Sequence, residues 1–417
     1  MNGPAPPRGT AGFARVFGAD STHRASAPGR VNLIGDHTDY NGLPVLPMAI
    51  QFRIAVWFRP RNDATVRLVN ADPGSEPGSF RLDQPLERGA GGHWLNYTKA
   101  AAWAVQQLVE ERGGQPRGMD AWVDGDVPVA AGLSSSSALV VATGLALLEA
   151  NGLVVERTDL MGRLARAERF VGTEGGGMDQ AISLGGARGH AARIDFDPLT
   201  LRTVPVPQSW RFVVAHSGQR AEKSGGVQAF YNRQVRRCAE ALQQLAPHWS
   251  GADCQVLQRK SGAEVTYADL LRQAELDPLG RAADVLPPEL FRCFRHTLTE
   301  AERVQRAERA LRTGDTQTFG ALMDASHASL ADDYEVSTPR LNALVDAARA
   351  AGAAGARLTG AGLGGSVVAL CDAVSEVAVK RDWTALLRTW GEDPVVFTAV
   401  PSPGAHVESL EPLSASG

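Results

Sequence analysis

Apolar and polar positions alternate through FRIAVWFRP (52–60) and TVRLVN (65–70), which predicts two paired strands of a sheet with one buried face. From Trp94 to about Glu111, apolar residues recur at three- and four-residue spacing, the pattern of an amphipathic helix. Residues 119–127 read as a further strand. It runs into VPVAAGLSSSSALVVATGLALLEANG, which reads as strand, loop and then a buried helix ended near Gly152. Thr158 or Asp159 is placed to cap the next helix, reaching about Val171. The Pro-, Gly- and Ala-rich residues 1–20 predict a loosely ordered start.

After residue 195 the pattern changes. Strands are expected at 190–196 and 211–217, a long helix around 226–246 and a more polar helical region over 264–332. Within that region Glu300, Arg303, Arg306, Glu308 and Arg309 read as a solvated helical face. Pro339 suits the first turn of a helix reaching about Ala351. RLTGAGLGGSVVALCD follows as loop and strand, then a helix at 374–390 and a final strand near 394–400. Strands and helices mix without regular βα alternation. The fold class is therefore α+β in two lobes, residues 1–195 and 196–417, with a cleft between them and the last strand returning to the first lobe.

Composition removes several function classes. A formal charge of -4 over 417 residues leaves no basic footprint for nucleic acid. No run approaches the roughly 18 apolar residues of a membrane span, and the N-terminus lacks the basic start and apolar stretch of a secretion signal. A cytoplasmic monomer without nucleic-acid or membrane partners is expected. Cys238, Cys254, Cys293 and Cys371 are scattered, with no C-x-x-C spacing, and read as reduced thiols. The only lysines are Lys99, Lys223, Lys260 and Lys380, none behind a glycine-rich loop, so a P-loop is absent.

Three segments carry chemistry. APGRVNLIGDHTDYNGLPVLPMAI (27–50) gathers Arg30, Asp36, His37, Asp39, Tyr40 and Asn41, groups suited to hydrogen-bonding sugar hydroxyls. PVAAGLSSSSA (128–138) opens directly into an apolar helix. Its glycine and serines present free N–H groups and the positive end of the helix dipole, an anion site without a lysine. Gly360-Ala-Gly-Leu-Gly-Gly365-Ser lets the backbone approach a ligand closely. A fourth stretch, ERFVGTEGGGMDQ (168–180), sets Asp179 behind three glycines.

In this order the segments resemble the motifs of galactokinases, within the GHMP small-molecule kinases. The similarity spans roughly residues 11 to 405 and includes HWLNY, YNRQVRRC and HASLADDYEVSTPRL. The resemblance implies a two-lobed kinase that moves the γ-phosphoryl group of ATP to the anomeric hydroxyl of galactose, a small-molecule sugar substrate. Asp179 falls on the family's catalytic aspartate and Arg30 on the arginine beside it, a cation that would keep the carboxylate ionised. Asp36, His37, Asp39, Gly176 and Tyr231 fall on sugar-contacting positions. Gly132, Leu133, Ser134, Ser135, Ser136, Ser137, Gly362 and Gly364 fall on the ATP motifs. Ser136 and Glu168 fall where related kinases hold Mg²⁺, with Ser135 as the neighbouring alternative.

The chain also departs from the family pattern. Asp36 stands where galactokinases usually carry glutamate, and Ala361 and Leu363 where glycine and phenylalanine are common. GTEGGGMDQ and VLPMAI look more like the N-acetylgalactosamine kinase branch. A kinase for that sugar or for a uronic acid, and a non-catalytic sugar sensor, stand as the alternatives.

Overall fold

The computed structural model describes residues 8–128, 131–172, 174–219, 226–249, 265–273 and 276–411. Cys254 lies outside them, as do parts of the motifs around 129–130 and 173. The first sheet contains β1 (His23–Asn32), β2 (Pro47–Pro60), β3 (Thr65–Asn70), β4 (Gly78–Arg81), β5 (Met119–Gly125) and β12 (His406–Ser409), in the order β12-β1-β2-β5-β3-β4. The strands at 52–60 and 65–70 thus share a sheet but do not pair, contrary to expectation. β5 enters between them, antiparallel to β2 and parallel to β3. Gly118 makes this possible: a Cβ there would sit 1.9 Å from the Thr65 carbonyl oxygen.

Helices α2 (Leu95–Glu111), α3 (Ser135–Ala150), α4 (Arg157–Ala167) and α5 (Met178–Gly185) bury Val105, Leu108, Leu147, Leu164 and Ile182 against Phe58, Val66 and Leu68 of this sheet. α4 is capped by Glu156, whose carboxylate accepts from Thr158 N (2.6 Å) and Asp159 N (3.1 Å). Neither Thr158 nor Asp159 is the cap, and a separate 3-10 turn, Glu168–Val171, follows. Part of the expected loose start is a helix, α1 (Gly9–Phe17), anchored by the fully buried Phe13.

The second sheet has the order β11-β8-β10-β9, from β8 (Arg211–His216), β9 (Gly355–Thr359), β10 (Ser366–Cys371) and β11 (Val396–Ala399). Around it pack α6 (Gly226–Leu245), α7 (Tyr267–Arg272), α8 (Pro278–Val285), α9 (Pro288–Thr313), α10 (Thr316–Asp332), α11 (Pro339–Ala350) and α12 (Ala373–Thr389). A hairpin of β6 (His190–Phe196) and β7 (Leu199–Pro205) spans the point where the lobes were expected to divide. An apolar cluster including Val31, Leu33, Met48, Phe212, Val304 and Val368 joins the two sheets.

The strand expected near 394–400 stays in the second sheet as β11. The return to the first sheet is made by β12, pairing with β1 from His23↔Ser409 to Ser26↔His406. Arg53 fixes that return by donating to the carbonyls of Pro403 (2.9 Å) and Gly404 (3.0 Å) and to Ser26 Oγ (2.7 Å).

The reading of α9 as a solvated face needs correction. Arg306 and Arg309 are exposed, but Glu300 is fully buried and Glu308 nearly so. Glu300 accepts from Gly35 N (2.9 Å), Ser326 Oγ (2.6 Å) and Arg303 Nε (2.6 Å). Long-range partners of this kind leave no trace in local charge patterning. No helix of the described residues is long and apolar enough to cross a membrane.

Candidate active site

All three motifs converge on one cavity of about 760 Å³. Gly29 lies against the loop before α3, where a Cβ would stand 2.7 Å from the Leu133 carbonyl oxygen. Arg30 N donates to that carbonyl (3.1 Å), and Ser366 Oγ donates to the carbonyl of Ala131 (2.6 Å). The first motif thus touches the second, and the second touches the third. Ser134 precedes α3 in the left-handed conformation (φ 59), unusual for a serine. Its side chain makes no capping hydrogen bond. The first-turn N–H groups of α3 are therefore left for an anion, with Ser135 and Ser136 lining the cavity.

Instead of capping the helix, Ser134 Oγ donates to Asp179 Oδ2 at 2.5 Å. Asp179 is the second residue of α5, entered through Gly177 at φ 103. Arg30, nearly buried on β1, grips the same carboxylate in a fork, Nε to Oδ1 at 2.7 Å and Nη2 to Oδ2 at 3.0 Å. Its third nitrogen, Nη1, donates to the Gly132 carbonyl at 2.6 Å. One guanidinium thereby fixes the aspartate relative to the anion loop.

The polar cluster forms the other wall. His37 takes φ 67 at the turn after β1, again a strained setting for a residue with a side chain. Burial pushes its imidazole down to about 4, so the ring is neutral at neutral pH. Asp39 Oδ2 accepts from Met178 N at 3.3 Å, the first N–H of α5. Burial first, and then the neighbouring Asp179 charge, raise Asp39 to about 6. Gly176 is required where it stands: a Cβ would lie 2.2 Å from Tyr40 N and 2.3 Å from the Asp39 carbonyl carbon. The Tyr231 ring sits 5.7 Å from those of His37 and Tyr40, its hydroxyl held far from ionisation by burial and then by Asp39.

Asp36 lines the cavity but is largely claimed by protein. Its Oδ2 accepts from the fully buried Arg357 Nη2 (2.6 Å) and its Oδ1 from Gly360 N (3.1 Å). Arg357 also lies 3.9 Å from Glu300, so the signature loop is braced from beneath by a buried ion network.

Glu168, 6% exposed, makes no ion pair among the described residues. It accepts from Ser137 Oγ at 2.6 Å. Of the expected site residues, Arg30, Asp36, His37, Asp39, Gly132, Leu133, Ser134, Ser135, Ser136, Glu168, Gly176, Asp179, Tyr231, Gly362 and Gly364 all line the cavity. Ser137 stands behind that lining, fully buried. Sequence reasoning passed over other residues of the lining, the apolar Trp94, Tyr97 and Leu139 and the polar Asn70, Asp72 and Asp124. These come from separate elements, and only HWLNY gave a local signal. It also missed the contacts of Ser134 with Asp179 and of Arg357 with Asp36, which depend on tertiary packing.

Similarity to known proteins shows the family. Residues 11–60 match the galactokinase galactose-binding signature. Residues 96–187 match the N-terminal domain of GHMP kinases and 307–389 their C-terminal domain. A galactokinase from Chloroflexus aurantiacus is 40% identical over 395 residues, covering 93% of this chain and 95% of that protein. The crystal structure of Lactococcus lactis galactokinase complexed with galactose superposes with a TM-score of 0.78 at 29% identity, covering 95% of this chain and 98% of that one. A phosphomevalonate kinase from Streptococcus pneumoniae, at 14% identity and a TM-score of 0.61 over 93% of this chain and 99% of that one, shares the fold alone. The chain belongs to the galactokinase family of GHMP kinases.

Proposed function

We propose that this protein transfers the γ-phosphoryl group of ATP to the anomeric hydroxyl of galactose, giving galactose 1-phosphate and ADP. The observation that carries the reading is the Asp179 carboxylate, held by Arg30 and Ser134 between an uncapped helix N-terminus and a wall of hydroxyl-binding groups. Asp179 accepts the hydroxyl proton or orients the hydroxyl for attack, and Arg30 supports the charge that develops on the attacking oxygen. Backbone N–H groups at the start of α3 and the glycines at 360–365 hold the phosphates, as positioning and charge stabilisation govern phosphoryl transfer. His37, Asp39, Tyr231 and Gly176 form the sugar wall, with Asp36 contributing chiefly through its hold on the loop. The lining aromatics Trp94 and Tyr97 take the nucleotide base.

Glu168 with Ser136 or Ser135 suits Mg²⁺: a nearly buried carboxylate lacking a cationic partner among the described residues, with hydroxyls in the same lining, is an oxygen donor set for a hard cation. Bound there, the ion would neutralise phosphate charge. Ser137 keeps the carboxylate oriented. The free thiols Cys238, Cys293 and Cys371 suit the reducing cytoplasm.

The test is ADP release with Mg·ATP against galactose, N-acetylgalactosamine, galacturonate, glucose and mevalonate. Galactose-dependent release is expected. Turnover with another sugar alone would move the substrate, and galactose binding without turnover would favour a sensor.

A further inference from the structure

The sugar wall is backed by a chain of hydrogen bonds whose direction can be deduced. At its inner end Thr297 Oγ1 donates to the Cys293 carbonyl at 2.8 Å. A hydroxyl has one proton, so in the contact with Cys238 Sγ at 3.5 Å the threonine oxygen accepts and the thiol donates. Burial favours the neutral thiol, which keeps that proton available. With its proton engaged, the sulfur accepts from the Tyr334 hydroxyl at 3.2 Å. Tyr334 in turn accepts from Tyr40 at 2.7 Å, and Tyr40 accepts from His37 Nδ1 at 2.9 Å. The opposite direction would set the lone pairs of Thr297 and Cys238 against each other.

Nδ1 of His37 therefore carries the imidazole proton, and Nε2 is left with its lone pair. That nitrogen is buried and has no hydrogen-bond partner among the described residues, while His37 lines the cavity. The Ala361 carbonyl faces the same ring, and Nε2 makes no hydrogen bond to it. Two acceptors facing one cavity call for a donor from the ligand.

We propose that this chain locks His37 as the Nδ1–H tautomer, makes Nε2 an obligatory acceptor for one sugar hydroxyl, and so gives the remote Cys238 a positioning role in substrate recognition. Cys238 is fully buried and does not line the cavity. It acts by accepting from Tyr334 and donating to Thr297, with the Asn41 side chain also against the thiol. The proposal rests on the sugar-kinase reading for its kinetic part but not for the tautomer itself.

Two measurements test it. In the first, Cys238→Ser preserves both donor and acceptor, whereas Cys238→Ala removes them and lets the tyrosine protons reverse toward His37. The serine variant should keep the KM for galactose within about twofold, and the alanine variant should raise it by about tenfold or more. The kcat and the KM for ATP should hardly change in either. Packing alone predicts the reverse order, since alanine suits an apolar pocket better than serine. Equal KM values, or a weaker serine variant, would overturn the proposal. In the second, nitrogen NMR of histidine-labelled full-length protein, with His37 assigned by loss of its signals in His37→Gln, should show a neutral ring protonated at Nδ1. A proton on Nε2 would overturn the proposal. Because this signal is read without substrate, it stands even if galactose proves not to be phosphorylated.

Discussion

Asp39 and Arg357 show how single residues bear on the sugar wall. Asp39 titrates near pH 6 because burial and the Asp179 charge oppose its ionisation. As a carboxylate it can accept only; once protonated it loses part of that capacity. The KM for galactose should therefore rise as pH falls through about 6, by up to about tenfold per unit below it. Asp39→Asn should bind galactose weakly with this pH dependence removed. Titrating the KM from pH 8 to 5 checks this, and a flat wild-type profile would remove Asp39 from the sugar wall. Arg357 is fully buried between Asp36 and Glu300. Arg357→Met strands two buried carboxylates, and urea unfolding should report a loss of about 3–5 kcal/mol. Arg303→Met, on the more open side of Glu300, should cost less.

At the scale of elements, the catalytic geometry depends on the backbone of 175–177 passing against 39–40. Gly176→Ala would place a Cβ 2.2 Å from Tyr40 N, an overlap that only backbone movement can relieve. Since that movement displaces Asp39 and the entry to α5, galactose binding measured by calorimetry should fall by about tenfold or more even where the protein remains folded. Gly91, with no positive φ and nothing within 4 Å of its Cβ, is the control for side-chain bulk. Much of this arrangement was legible in the chain. The apolar helix after PVAAGLSSSSA, the anion loop at its start and the glycines before Asp179 each follow from local rules. The pairing of β2 was not legible, because the insertion of β5 depends on Gly118 finding Thr65 across more than fifty residues. Nor was Glu300, whose helix reads as charged until Gly35 and Ser326 are placed against it. The metal register stayed open for a related reason. Four consecutive serines point in different directions around the start of α3, and only packing puts Ser137, not Ser136, on Glu168.

For the whole molecule, buried imidazoles set the response to acid. His37, His296 and His327 are each pushed from 6.5 down to about 4 by burial, so the native state keeps them neutral where the unfolded chain protonates them. Their contribution is present above 6.5 and is lost as pH falls toward 4. Asp39 acts in the opposite sense: its raised value favours the native state at acid pH, an advantage lost as pH rises through about 6. Near pH 5 three imidazole protons are gained on unfolding and one carboxyl proton is released. The net uptake of about two protons corresponds to about 2.7 kcal/mol of stability per pH unit. Denaturant unfolding at pH 6.5, 5.5 and 4.5 should show a steep decline, and a flat profile would mean that these histidines are not buried as neutral rings.

Three chemistry-bearing segments meet on Asp179, whose carboxylate is fixed by Arg30 from β1 and by Ser134 from the anion loop. Single-turnover phosphoryl transfer to galactose by Asp179→Asn, alongside calorimetric galactose binding, tests that centre most directly. The expected result is a folded protein that binds galactose within a few-fold of the original and transfers phosphate about 10²–10⁴ times more slowly. Transfer at nearly the original rate by a well-folded Asp179→Asn protein would contradict it.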